Sequence, residues 1–197
     1  MSRSNTNLRQ LVQRVGPLDY KRAARYVEQV SRQLAELHRN GKVHRNVRPE
    51  KILLNEAGNA SRDERQSGLF AASNETSDSN YGDAVAKYAV EVADYLAPEL
   101  ALNAAEVDGR ADFYSLGCVL YFMLVGRAPF ANGNVSERLL MHQQAKPEAI
   151  SQFRPDVPEP LARICETMMA KKPSERFASA DEVIEAIAAW RQSARWF

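Results

Sequence analysis

Residues 108–130 read DGRADFYSLGCVLYFMLVGRAPF, and this stretch decides the fold. Phe113, Leu116, Val119, Leu120, Phe122 and Met123 cover most faces of one helix rather than a single stripe. A helix that is apolar nearly all round has to be surrounded by protein. Gly126 supplies its stop, and Pro129-Phe130 opens a loop. The apolar run from Leu116 to Val125 is too short for a bilayer, which takes about 20 residues. The expectation is a buried central helix and no membrane span. Asp112, near the start of that helix, would be costly there unless hydrogen-bonded.

Working outward from this helix, the other elements are mostly helical as well. Residues 8–14 (LRQLVQR) form a short amphipathic pattern closed by Gly16-Pro17. Asp19 is placed to cap a second helix in which Ala23, Tyr26, Val27, Val30, Leu34 and Leu37 recur at helical spacing, stopped by Asn40-Gly41. Pro49 forbids a helix through the next loop, Lys51 to Leu54 is a short strand-like run, and residues 56–59 make a turn. The residues after that turn, SRDERQ, show no apolar alternation, so the returning strand is expected to be weak or lost. Residues 67–90 are rich in Ser, Asn, Asp and Ala and read as a long surface loop. Downstream, Asn134 or Ser136 caps a helix with Leu139 and Leu140. A Pro-rich stretch, 154–160, leads into a helix with Leu161, Ile164, Cys165 and Met168. Ser179-Ala-Asp-Glu182 is a capping box for a last helix with Val183, Ile184, Ile187 and Trp190. The fold class expected is mainly α: a helical bundle around a buried central helix, with one small β-hairpin.

Composition limits what such a bundle does. The chain has 197 residues, 45% of them hydrophobic and 26% charged, with 26 Lys+Arg against 25 Asp+Glu. That is enough for one domain and its core, and it excludes wholesale disorder and a polyanion-coating protein. Residues 1–51 carry 12 basic and 4 acidic side chains, leaving 14 and 21 for the rest. The basic half has none of the aromatic interleaving of single-strand binders, so its plain reading is a solvated helix face and no nucleic acid is expected. Two cysteines, Cys118 and Cys165, lie in apolar stretches and read as small core residues, which suits a reducing, cytoplasmic setting. The start, MSRSNTNLRQ, has no apolar signal-peptide core.

Four segments in register resemble the C-terminal lobe of a Ser/Thr protein kinase, with wording closest to bacterial kinases of the planctomycete type. VHRNVRPEKILLN (43–55) resembles the catalytic loop and its following strand, and DYLAPEL (94–100) carries Ala97-Pro98-Glu99. Residues 108–130 are similar to the lobe's central helix, and MMAKKPSERF (168–177) supplies Arg176. The resemblance divides the chain into two leading helices (1–42), a catalytic-loop segment and hairpin (43–60), an activation-segment-like loop (67–99) and a helical subdomain (108–192). It implies structural roles for His44, Arg45, Gly68, Ala97, Pro98, Glu99, Asp112 and Arg176. Glu99 would pair with Arg176 in a bidentate ion pair, and Asp112 would accept bonds from the catalytic-loop backbone.

The family chemistry is phosphoryl transfer from ATP with Mg²⁺. It needs an aspartate for the substrate hydroxyl, metal-binding Asn and Asp, and an N-lobe lysine for the phosphates. The base position here is Asn46, an amide that is not basic. Arg48 stands where the family has lysine, keeping charge but not geometry. Lys51 replaces the metal-binding Asn, and a cation there repels Mg²⁺. The Asp-Phe-Gly motif aligns at Gln66-Ser67-Gly68, so the metal-binding Asp becomes Gln66. Glu91-Val92 replaces the Gly-Thr before the Ala-Asp-Tyr run, and the hydroxyl is lost. Glu50, the one carboxylate inside the loop, is expected to be a surface residue. No Gly-rich phosphate loop or Val-Ala-Ile-Lys-like strand occurs, and residue 1 is expected near the end of the interlobe hinge.

The expected function is therefore a catalytically inactive kinase-like lobe serving as a binding or scaffold module, with no catalytic, cofactor or metal site of its own. Its protein partner would use the face that an N-terminal lobe normally covers. The alternatives are Ser/Thr kinase activity with ATP when an N-lobe is supplied in trans, and a gene remnant without function. Ser73, Thr76, Ser77 and Ser79 are available for phosphorylation by another kinase.

Overall fold

A computed structural model describes residues 6–62, 81–102 and 107–193. The positions Gln66, Gly68, Ser73, Thr76, Ser77 and Ser79 lie outside the described residues. Strand β1 (Thr6–Asn7) leads directly into helix α1 (Leu8–Val15), and α2 (Tyr20–Arg39) follows. Asn7 opens α1 with a capping box, because its side chain accepts from the Gln10 amide while the Gln10 side chain accepts from the Asn7 amide. Gly16, at φ 78°, closes it, a conformation that L side chains rarely adopt. Asp19 caps α2 by accepting from the amides of Lys21 and Arg22.

The catalytic-loop-like segment comes next. Pro49 does not exclude helix entirely. It occupies the first position of a one-turn 3₁₀ helix, Pro49–Lys51, where its missing N–H costs nothing. Strand β2 (Ile52–Leu54) then turns through Asn55–Asn59, with Gly58 at φ 70°, into strand β3 (Ala60–Arg62). The returning strand is thus present, and β2 pairs with both β1 and β3 in a three-stranded antiparallel sheet. Apolar alternation is not what holds β3. Gln29 and Gln33 of α2 accept from the amides of Ala60 and Arg62, both at 2.8 Å. Side-chain amides of a helix serve as the outer partner of this strand.

Helix α3 (Tyr81–Ala93) corrects the reading of 67–90 as a loop throughout. Alanine at 84, 86, 89 and 93, rather than the Ser/Asn run before it, sets the local preference. After α4 (Pro98–Leu102) comes the central helix α5 (Arg110–Val125), buried continuously from Ala111 to Leu124. Gly117 lets it pack closely, since a Cβ there would sit 2.8 Å from both Met168 and Met169. Gly126 ends α5 with φ 88°, its amide donating to the Phe122 carbonyl. Replacing a fully buried residue such as Leu116 by Ala would cost about 2–5 kcal/mol.

Against α5 pack α2, α7 (Ile150–Phe153) and α8 (Glu159–Met168), while α9 (Ala180–Ser193) lies on α2 and α8, and α6 (Val135–Gln144) on α3 and α4. Asn134 is the cap of α6, with a full capping box to Glu137. At α9 the box is shifted by one: the Glu182 amide donates to Ser179 Oγ, but the Glu182 carboxylate accepts from Ala178. Cys118 and Cys165 are buried core residues whose thiols are pushed upward by burial. Among the described residues, no helix is long and apolar enough to cross a membrane.

Candidate functional site: a pinned catalytic loop

The site is built on Asp112, which is fully buried in the first turn of α5. Its Oδ1 accepts from the Arg45 amide at 2.7 Å, and its Oδ2 from the His44 amide at 2.9 Å. The His38 ring adds a third bond, Nε2 to Oδ2 at 2.7 Å. One carboxylate thereby ties the end of α2 and the loop to the core, and its burial is compensated. His38 was not singled out in the sequence. The signal lies in the pairing of an isolated His one turn before the α2 stop with Gly109. A Cβ at 109 would meet the His38 ring at 2.6 Å, so glycine is what lets the ring reach Asp112.

Arg45 contributes through its backbone. It sits at φ 62°, the only non-glycine with positive φ among the described residues. That conformation costs about 1–3 kcal/mol. The two amide bonds to Asp112 flank the strained residue and hold it. His44 is buried, and its Nδ1 accepts from the Asn46 amide at 3.3 Å, which leaves the ring proton on Nε2. Burial lowers its pKa, opposed by Asp112, so the ring stays neutral. It fills space and orders the loop.

The positions that carry chemistry in the family lie on this pinned backbone. Asn46, Arg48 and Lys51 are all buried, at 5%, 4% and 8% exposure. Arg48 is sandwiched. Its Nη1 donates to Glu91 Oε2 at 3.0 Å, its guanidinium lies 4.6 Å over the Tyr88 ring, and Glu50 Oε2 is 3.9 Å away. Glu50 is not a surface residue. It is half-buried and accepts from Arg9 Nε of α1, because Arg9 is held beside it by stacking over Phe122. The result is a row of alternating charges, Arg9, Glu50, Arg48 and Glu91, joining α1, the loop and α3. The cleft between the loop and Val92, Tyr95 and Leu96 has a volume of about 10 Å³, room for a single water.

Glu99 and Arg176 meet as a fork, Nη1 to Oε1 at 2.6 Å and Nη2 to Oε2 at 2.8 Å. The remaining donors of Arg176 reach the carbonyls of Ala170, Arg110 and Lys171, so all five N–H groups are used. Its plane lies 4.8 Å over Tyr114. Ala97 and Pro98 are buried beside this pair. Tyr114 in turn bonds the ring of His142 at 2.9 Å, and burial drives that imidazole down to about 3.

The donor set of the loop does not fit Mg²⁺. Hard cations of this kind take oxygen ligands, and at the ligand position this loop offers an ammonium, Lys51. Among the described residues no group of three His, Cys, Asp or Glu is placed to hold a metal ion. Asn46 Oδ1 is an acceptor but too weak a base to take a hydroxyl proton.

Comparison with known proteins agrees with this architecture. The family model of the protein kinase domain matches residues 2–187. Serine/threonine-protein kinase PknD of Mycobacterium tuberculosis is 37% identical over 179 residues, covering 90% of this chain and 26% of that protein. PknJ of Mycobacterium bovis is 35% identical over 182 residues, covering 89% of this chain and 30% of its own length. PrkC of Bacillus subtilis is 29% identical over 176 residues, covering 89% and 26%. The chain thus spans less than a third of the curated relatives it matches. With the kinase model covering nearly its whole length and the mainly helical lobe formed around α5, the chain belongs to the Ser/Thr protein kinase family.

Proposed function

We propose that this chain is a kinase-family lobe that binds a protein partner and does not transfer phosphate. One observation carries the reading. The loop keeps its strained geometry at Arg45 and its bonds to Asp112, yet presents an amide at Asn46 and cations at Arg48 and Lys51. Loss of a general base alone lowers a rate by about 10²–10⁴. Loss of metal charge stabilisation removes several kcal/mol more. The partner engages the face that an N-terminal lobe covers in two-lobed kinases. Neither ATP nor Mg²⁺ is required by this reading.

The test is a thermal-shift titration of the full chain with ATP, with and without Mg²⁺. The expected result is no Mg²⁺-dependent shift, and a saturable shift overturns the reading. The preserved pins favour one second reading, phosphoryl transfer once a nucleotide-binding lobe is supplied. A fusion of the unmodified chain to the N-lobe of a relative separates the two. Phosphate transfer by that fusion establishes the second reading, and transfer only after Asn46→Asp, Lys51→Asn and Gln66→Asp supports the first.

A further inference from the structure

A cavity of about 510 Å³ lies between the second half of α5, the segment 146–149 that leads into α7, and the end of α8 with the turn that follows it. Sites for small ligands hold about 300–1,000 Å³. It is separate from the catalytic loop. None of its lining residues borders the cleft beside Asn46, and Tyr121 lies more than two turns along α5 from Asp112, about 13 Å of helix. Its floor is apolar, formed by the buried side chains of Ile150 and Met169. Tyr121 shares that floor. It is only 1% exposed, yet its hydroxyl makes no hydrogen bond among the described residues. A hydroxyl at that depth is costly to leave unpaired, so its partner has to enter through the cavity. Burial pushes the phenol up to about 12, opposed by Arg127, so at neutral pH the group is protonated and donates. The rim is charged, and its charges are not equally engaged. Glu148 is held by Arg127 at 2.5 Å and Glu175 by Lys172 at 3.4 Å, while Lys171 donates to the His142 carbonyl at 2.8 Å. Lys146 and Glu166 remain, one of each sign, and neither has an ion pair among the described residues.

We propose that this cavity is a binding site for a short zwitterionic peptide, of dipeptide size, with apolar side chains. Each feature of the cavity has a counterpart in such a ligand. Glu166 meets the terminal ammonium and Lys146 the terminal carboxylate. Tyr121 Oη donates to the peptide carbonyl, and Ile150 and Met169 pack against the apolar side chains. A free amino acid brings both charges but no peptide carbonyl for Tyr121. A nucleotide or other polyanion leaves Glu166 without a counter-ion and is repelled by Glu148 and Glu175 as well. The site stands apart from the catalytic loop, so it neither needs nor tests the absence of phosphate transfer.

Calorimetric titration of the full chain with the dipeptide phenylalanyl-leucine, and with its N-acetyl, C-amide form, tests this. The expected result is saturable one-to-one binding of the dipeptide, with the capped form weaker by about ten-fold because both exposed ion pairs go at once. Glu166→Gln and Lys146→Gln are each expected to weaken the dipeptide by about three-fold and to leave the capped form unchanged. Tyr121→Phe is expected to weaken both forms by about five-fold, the loss of one hydrogen bond. Ala149→Trp, at an exposed position of the lining, is expected to abolish binding of both forms by filling the space. Its thermal midpoint, and that of Glu166→Gln, should stay at the parent's value, which separates a lost site from a lost fold. The proposal is overturned by an absence of saturable binding, by equal affinity for the two forms, or by parental affinity for the dipeptide in both Glu166→Gln and Lys146→Gln. Parental binding in Ala149→Trp overturns it too, since the peptide would then lie elsewhere.

Discussion

Two regions of this lobe carry buried charge, and they carry it differently. The Arg176 guanidinium and the Asp112 carboxylate are fully paired, although His44 Nε2 and His142 Nε2 beside them have no hydrogen-bond partner among the described residues. The Arg176 fork uses all five N–H groups, and Asp112 takes three bonds with no exposure to solvent. Around Arg48 the accounts stay open. Among the described residues its Nε has no hydrogen-bond partner, nor do Arg9 Nη2 and Glu50 Oε2. The first arrangement is a network that fixes backbone, and the second is a chain of single contacts joining α1, the loop and α3. Buried polar groups are most rigid when fully satisfied. The lobe draws its shape from the network, while Asn46, Arg48 and Lys51 lie in the less fully paired region.

The sharpest way to break this contrast is Arg176→Ala. It leaves Glu99 unpaired beside three orphaned carbonyls and should cost about 3–5 kcal/mol, read by urea denaturation. A loss below about 1 kcal/mol would show that the network is no stronger than a surface pair. The second expectation concerns protons. His142 is held down to about 3 by burial, against an ordinary value of 6.5, and His44 is lowered in the same sense. A histidine with a depressed folded pKa resists protonation that the unfolded chain accepts. Its contribution to stability is complete above about pH 6.5 and is lost as pH falls toward 3. The thermal midpoint should accordingly drop between pH 6.5 and 5. His142→Asn keeps an acceptor for Tyr114 and removes the proton site, so its midpoint should depend less on pH over that window. An unchanged slope would place the acid sensitivity elsewhere. The smallest effect belongs to the open region. Asn46→Asp should alter stability by less than about 1 kcal/mol at pH 7, since the loop backbone is set by Asp112 rather than by this side chain. A large loss would mean that the reactive positions now serve as pins themselves.

Much of the fold was legible because it follows local rules. The all-round apolar pattern at 113–123 gave α5, Asp19 and Asn40-Gly41 bounded α2, and Gly126 closed the central helix. Strand β3 was hidden because its partners are Gln29 and Gln33, about thirty residues earlier and on a helix face that reads as merely polar. Helix α3 was hidden for a related reason. Its docking depends on Glu91 meeting Arg48, a contact across 43 positions that no local window contains. In the site, the resemblance to the kinase lobe pointed to Asp112, Glu99 and Arg176. Glu50 reads as a surface residue and His38 gives no signal, because a lone charged residue in a loop, or a lone His on a helix, has no periodicity to announce its partner.

The left-handed backbone at Arg45 has a consequence for engineering. The turn is held from below, by a carboxylate on α5 that accepts from the His44 and Arg45 amides. Positions 46, 48 and 51 form a display platform with a fixed frame. A substitution at any one of them leaves the bonds from Asp112 to the His44 and Arg45 amides in place, so the backbone frame outlasts a change of side chain.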